Sequence, residues 1–337
     1  MFRIILKECF LSKEMTENFL FSQPVPDRGL DSLFSSSDSH SNAGDTISES
    51  SFDSSDNNYL FKCEIDGNST FKHLIDYISK LHAEVTMLFS EDFIIISEVT
   101  SNEMIMNEIT MKRAHFLSYE YNTTRKNFKL GLSLRELKGA VKQTKINIVL
   151  AVTNSLDLVI ETLSKNTRNS AFVEIKCKNV RVNRINPPEY STSEATPSFA
   201  IDPDELKTEC DKFCANISSP TKGSAKVKIQ TYTRGMTMQY SSGATNLASS
   251  FGQMPDQMEI IVINGITNII ASEFPVHQGI ELSVTDMKAL AKLKSITSKE
   301  KIFVFAEKEK PLKLMMPIKN LGELRIFIRS SIMEETQ

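Results

Sequence analysis

The sequence predicts an α+β protein of helices packed on antiparallel sheet, and three observations carry that prediction. From Tyr59 onward a short amphipathic helix followed by two alternating strands recurs four times. Helix starts fall roughly 60 to 80 residues apart, too far for common solenoid repeats, and the units are too rich in strand for a helical array. A stretch holding Pro187, Pro188 and Pro197 with Ser191, Thr192 and Ser193 separates the second unit from the third and has the composition of an exposed connector. The units therefore pair into two similar domains, residues 59–181 and 199–337, the second ending in a short tail, joined by a connector at 182–198.

In the first unit Phe71, Leu74, Ile75, Ile78 and Leu81 fall at helical spacing, Val85, Met87 and Phe89 alternate, residues 90–92 turn, and 93–99 return. The second opens on Ser133 with Glu136 three residues on, a capping box whose hydroxyl accepts from an early helix amide while the carboxylate reaches back. Leu134, Leu137 and Val141 form its buried face, and strands follow at Ile146, Ile148 and Leu150, then Leu156, Leu158 and Ile160. In the third unit Asp202 caps, Pro203 takes the first helical position, Glu205 completes the box, and Leu206, Cys210 and Phe213 face inward. Val227, Ile229 and Thr231 lead through Arg234 and Gly235 to Met236, Met238 and Tyr240. The fourth has Ser283 as cap, Asp286 three residues on, Met287, Leu290 and Leu293 inside, and strands near 303–306 and 312–316.

Hydrophobic residues make up 40% of the chain and charged ones 24%, enough apolar material for two cores. The net charge of -3 conceals an asymmetry, because residues 22–58 carry Asp27, Asp31, Asp38, Asp45, Glu49, Asp53 and Asp56 against Arg28 alone. That serine-rich stretch lacks the apolar surface to offset its ordering entropy, so residues 1–58 read as a largely disordered extension. Residues 1–21 are mixed apolar and charged, and a docking helix, a partner anchor and a loose extension all fit them. The longest apolar runs are too short to cross a bilayer, no cleavable signal is evident, and an intracellular protein without membrane contact is expected.

Enzymatic signatures are missing: there is no P-loop, dinucleotide fingerprint or nucleophile elbow, and the five histidines are scattered. Cys9, Cys63, Cys177, Cys210 and Cys214 lack the spacing of a disulfide framework and read as thiols. Cys210 and Cys214 are half of a metal site with nothing nearby to complete it, so neither metal nor cofactor is expected. Charge patterning is more informative. Arg135, Lys138, Lys142 and Lys145 form one stripe opposite the apolar face of the second helix. Lys288 and Lys292, with Lys294 adjacent, repeat it on the fourth, and Lys72 and Lys80 lie on the first. On the third, Asp204, Glu209 and Asp211 dilute Lys207 and Lys212. A solvated helix face and a phosphate-facing surface both fit such stripes.

Several segments resemble the proliferating cell nuclear antigen family of sliding clamps. LFKCEI and TFKHLIDYISKL resemble its opening strand and first helix, SEDFIIISEVTSNEMIMNEITM its next two strands and their loop, and GLSLRELKGAVK its second helix. FPVHQGIELSVTDMKALAKLKS and KPLKLMMPIKNLGELRIFIRSSI follow its final helix and last strands, with Pro311 and Gly322 in step. The likeness spans residues 59–332 and omits the extension. It implies two DNA-clamp domains with sheets outside and four helices inside, three identical subunits closing head to tail into a ring, and a non-enzymatic polymerase processivity factor. A heterologous contact of this kind must close by rotation or it makes filaments. Edge strands at 171–178 and 258–266 are the expected contact, since both alternate and an unpaired apolar edge invites aggregation.

The same resemblance implies that Lys72, Lys80, Arg135, Lys138, Lys142, Lys145, Lys207, Lys288, Lys292 and Lys294 face duplex DNA, holding phosphates without reading bases. It places a peptide-binding groove for DNA polymerase and other clamp-binding partners at Val99, Met106, Ile185, Pro188, Pro311, Arg329, Ser330 and Ile332. Arg329 and Ser330 stand where small or proline residues are usual, which points to a different peptide preference. A separate clamp loader, and work in the nucleus or at a viral replication site, follow from the likeness. The acidic extension and the diluted third helix keep open a heterotrimeric checkpoint-type clamp, a monomeric viral processivity factor and a clamp-fold transcription factor.

Overall fold

The computed structural model describes residues 59–66, 68–100, 103–143, 147–162, 171–177, 196–217, 224–242, 245–254, 259–263, 266–270, 275–297 and 300–330. The extension 1–58 and most of the connector, with Ile185 and Pro188, lie outside the described residues, as do Cys9, Lys145, Ile146 and Ile332.

The first half runs β1 (Tyr59–Ile65), α1 (Asn68–Leu81), β2 (Glu84–Ser90), β3 (Phe93–Val99), β4 (Ile105–Lys112), β5 (Ser118–Tyr121), β6 (Asn127–Ser133), α2 (Leu134–Gln143), β7 (Ile148–Thr153), β8 (Leu158–Thr162) and β9 (Ala171–Ile175). The second runs β10 (Phe199–Ile201), α3 (Pro203–Asn216), β11 (Lys226–Thr231), β12 (Gly235–Ser242), β13 (Thr245–Gly252), β14 (Glu259–Ile263), β15 (Ile266–Ile270), β16 (His277–Ser283), α4 (Val284–Leu290), α5 (Leu293–Thr297), β17 (Ile302–Phe305), β18 (Leu312–Ile318) and β19 (Gly322–Ile328). All four helix-and-hairpin units are present, and the apolar stripes predicted for the helices are buried, Leu81 only partly.

Local chemistry departs from expectation at three places. Asp202 caps α3, but its carboxylate accepts from the Asp204 amide at 2.8 Å, one residue short of Glu205. Ser283 and Asp286 do form a full capping box on α4. The fourth helix is broken at Ala291 and Lys292, where the Lys292 amide donates to the Ala289 carbonyl and tightens the turn before α5 resumes. Leu156, expected to open a strand, instead sits in the β7–β8 turn at φ 65°, so β8 starts two residues later.

Sheet order repeats between the halves. A five-stranded sheet reads β5-β1-β7-β8-β9, an eight-stranded one β10-β17-β18-β19-β4-β3-β2-β6, a four-stranded one β13-β12-β11-β16, and β14 pairs with β15. The order β1-β7-β8-β9 thus recurs as β10-β17-β18-β19, and β4-β3-β2-β6 recurs as β13-β12-β11-β16. In the eight-stranded sheet the two patterns meet, because β19 pairs antiparallel with β4 from Glu323↔Thr110 to Ile328↔Ile105. Their counterparts, β9 and β13, are sheet edges among the described residues.

Aromatic packing clamps the first two sheets together. The Phe61 ring of β1 lies 4.9 Å from Phe89 of β2 and 5.0 Å from Tyr119 of β5, and Phe89 stacks on Phe128 of β6 at 5.1 Å. The Tyr119 hydroxyl donates to the Ser90 carbonyl at 2.7 Å, so its polar tip is satisfied inside the core. α1 is pinned to the junction strand by the buried Tyr77 hydroxyl, which donates to Asn107 Oδ1 on β4 at 2.6 Å.

Two glycines separate backbone necessity from tolerance. Gly322 opens β19 at φ 151°, and a Cβ there would fall 2.0 Å from the Thr110 carbonyl oxygen of β4. Gly139 lies inside α2 with nothing within 4 Å of an added Cβ. Gly322→Ala is expected to lower stability by about 1–3 kcal/mol through strain and clash, whereas Gly139→Ala raises it by about 0.5–1 kcal/mol. Urea unfolding of both variants checks this, and equal shifts would contradict the assigned packing.

Candidate nucleic-acid interface

The helices form one connected layer. α1 packs on α2 and also on α4 and α5, while α3 packs on α4 and α5. Each turns its apolar stripe to the sheets and leaves its charged stripe outward, as the helical period requires. Arg135, Lys142, Lys80 and Lys288 are exposed, and no ion pair joins them to other described residues.

Asp76 of α1 divides the basic surface. Its Oδ1 accepts from Lys138 Nζ of α2 at 2.5 Å, and its Oδ2 lies 3.7 Å from Lys292 Nζ at the α4–α5 turn. Lys138 also donates to Ser79 Oγ at 3.3 Å. The hydrogen bond from Lys138, with Lys292 and Lys80 nearby, holds the Asp76 carboxyl below the usual carboxylate range. Lys138 therefore ties α1 to α2 and is not a bystander on a solvated face. Sequence reasoning missed Asp76, although its place between Lys72 and Lys80 on one helical stripe was a usable signal.

On α3 the acids neutralise what the lysines offer. Lys207 pairs with Asp211 at 2.6 Å, Lys212 with Glu209 at 3.2 Å, and Lys294 of α5 with Asp204. Glu209 additionally accepts from the Ser249 hydroxyl of β13. Lys72 is partly buried on α1. The cationic part of the layer is thus α1, α2 and the α4–α5 segment, and α3 is its acidic end.

The described residues matched to the peptide groove gather at one end of the eight-stranded sheet. Val99 pairs with Met106, Met106 with Phe327, and the Arg329 amide donates to the Met104 carbonyl at 2.9 Å. Pro311 precedes Leu312, which pairs with Ile328. Met106 and Ser330 are packed inside, the Ser330 hydroxyl donating to the Gln278 carbonyl, so Val99, Pro311 and Arg329 are the partly exposed members.

Among the described residues no three His, Cys, Asp or Glu side chains are placed to hold a metal, and no helix is long and apolar enough to cross a membrane. Burial raises the Cys63 and Cys210 thiols, and pushes Cys177 up to about 11, so all three are protonated at neutral pH.

No family model matches the sequence, and no curated protein matches it in sequence. Solved structures do match. The proliferating cellular nuclear antigen of Entamoeba histolytica aligns with a TM-score of 0.60 and 11% identity, covering 80% of this chain and 98% of its own. That of Thermococcus kodakaraensis aligns with a TM-score of 0.58 and 12% identity, again over 80% and 98%. At such identities the likeness speaks for architecture, and it agrees with the repeated sheet order and the four-helix layer: the chain has the sliding-clamp fold of the proliferating cell nuclear antigen.

Proposed function

We propose that this chain is a non-enzymatic sliding DNA clamp, three copies of which close into a ring around duplex DNA and tether a DNA polymerase. The observation that carries the reading is the repeated junction. One chain joins β19 to β4 and leaves the equivalent strands β9 and β13 as edges, so a second copy can repeat the same pairing. This moves the expected contact from residues 258–266 to β13, because β13 holds the position of β4 in the repeated sheet order. Homotrimer closure and a separate clamp loader are what the sequence resemblance to the proliferating cell nuclear antigen family implies.

Inside such a ring the cations serve as sequence-independent phosphate contacts. Lys80, Arg135 and Lys288 are the principal ones, Lys138 and Lys292 share the Asp76 carboxylate, and Lys72 adds to the α1 stripe. Clamp-binding peptides would dock near Val99, Pro311 and Arg329, and the family resemblance adds the connector residues Ile185 and Pro188, which lie outside the described residues. Work in the nucleus or at a viral replication site belongs to this reading. The acidic α3 favours a second one, a clamp-fold factor that acts through protein contacts instead of DNA.

The two readings separate in a titration with duplex DNA. The triple variant Lys80→Glu, Arg135→Glu, Lys288→Glu should bind at least tenfold more weakly at low salt, and its log-log salt slope should flatten by about two or more. Scrambling the duplex sequence should change nothing. Unchanged binding by the triple variant would favour the protein-contact reading.

Asp76→Asn should act in the opposite direction. Freeing Lys138 and Lys292 raises duplex affinity and steepens the salt slope by about one to two, at a stability cost of no more than about 1 kcal/mol because the pairs are half exposed. Since the folded Asp76 carboxyl is held low, its stabilising effect is present above the ordinary carboxylate range and is lost as pH falls through the lowered value. Thermal melts of wild type and Asp76→Asn should therefore converge in strong acid, and a constant offset would contradict the assignment.

A further inference from the structure

The ion pair between Asp76 and Lys292 spans the joint between the halves of the chain, from α1, which Tyr77 bonds to β4, to the α4–α5 turn, where α5 packs on β18. Both residues have counterparts. α1 and α3 are each 14 residues long, and Phe71, Lys72, Ile75 and Asp76 occupy the positions of Leu206, Lys207, Cys210 and Asp211. The apolar members are buried in both helices. Counted from the serine that ends the preceding strand, Glu136, Leu137, Lys138 and Lys142 of α2 match Asp286, Met287, Lys288 and Lys292. The counterpart of Asp76 is therefore Asp211, and that of Lys292 is Lys142.

These two residues lie beside the unjoined edges. α2 packs on β8 and β9, and α3 packs on β13. Lys142 is exposed, with no ion pair among the described residues. Asp211 is half exposed and gives Oδ2 to Lys207 of its own helix at 2.6 Å; Asp76 also spends one oxygen inside its own half, but on Lys138 of α2, whose counterpart is Lys288. Asp76 uses its second oxygen across the joint. Asp211 has its other oxygen, Oδ1, to offer, and no hydrogen bond or ion pair among the described residues takes it.

We infer that the acidic face of α3 is a docking surface for a second copy of this chain, where Asp211 receives Lys142 from the neighbour's α2 across a β9–β13 contact. The inference rests on the ring reading above and explains what that reading leaves unexplained, an acidic helix in a layer otherwise suited to phosphate. Opposite charge on α2 and α3 also fixes direction: it favours the head-to-tail contact and disfavours α2 against α2 or α3 against α3. Lys142 and Lys207 thereby leave the set of DNA contacts and join the subunit boundary.

Dilution series followed by sedimentation velocity test it without any DNA. Lys142→Glu and Asp211→Lys should each raise the concentration at half-dissociation about tenfold, because like charges replace a screened attraction. The double variant, with the charges exchanged, should return to within about threefold of wild type, and added salt should shrink all these differences. Circular dichroism of each variant should be unchanged, since both side chains are exposed. A wild type that assembles while the single reversals assemble equally well, or a double variant no better than the singles, would overturn the inference alone. A wild type that sediments as a monomer throughout would overturn the ring reading and the inference with it.

Discussion

Antiparallel pairing of β19 with β4 joins two halves of the chain that share no other sheet among the described residues. Each half alone would present a long row of unpaired amides and carbonyls, and the joint removes one row from each. Side chains reinforce it: Arg325 of β19 faces the buried Glu108 of β4 with Nη1 3.3 Å from its carboxylate, and Tyr77 and Asn107 tie α1 to the same strand. A carboxylate so deeply buried would be costly without that guanidinium. Because the halves repeat, the joint satisfies β4 and β19 while β9 and β13 keep their outer rows. The case for assembly follows from this asymmetry.

The helical layer obeys a second constraint. Four helices bring their charged stripes to one side, and such crowding of cations is relieved at Asp76, which serves Lys138 and Lys292 together. The arrangement is compatible with loose, additive attraction to phosphate, since Lys80, Arg135 and Lys288 are exposed and no ion pair joins them to other described residues. α3 breaks the pattern through Asp204, Glu209 and Asp211, and the internal repeat offers a use for one of these acids in binding another copy.

Much of this was legible before any coordinates. The buried faces of α1 to α4 follow from apolar residues at helical spacing, and Ser283 with Asp286 announced a capping box that is present. Strands of weak pattern were not legible. β13, with the sequence TNLASSFG, alternates small and polar groups, and β10 is only three residues long. The α4–α5 break left no mark either, because Met287, Leu290 and Leu293 keep one face through it. Among the candidate site residues, the basic stripes were visible, as were the α3 acids that pair with Lys207 and Lys212, but partners on other helices were not. Lys138 finds Asp76 62 residues away and Lys294 finds Asp204 90 residues away, and such contacts arise only from the tertiary packing of helices.

In the proposed ring the edges β9 and β13 complete one another between copies until the ring closes. The mass of the particle in solution tests this most directly. Light scattering on the full chain at tens of micromolar, roughly the range in which tight assemblies are saturated, should give three times the 38.0 kDa of one chain and no growth with concentration. A particle that stays at the mass of a single chain, or one that grows without limit as an open filament would, would contradict it.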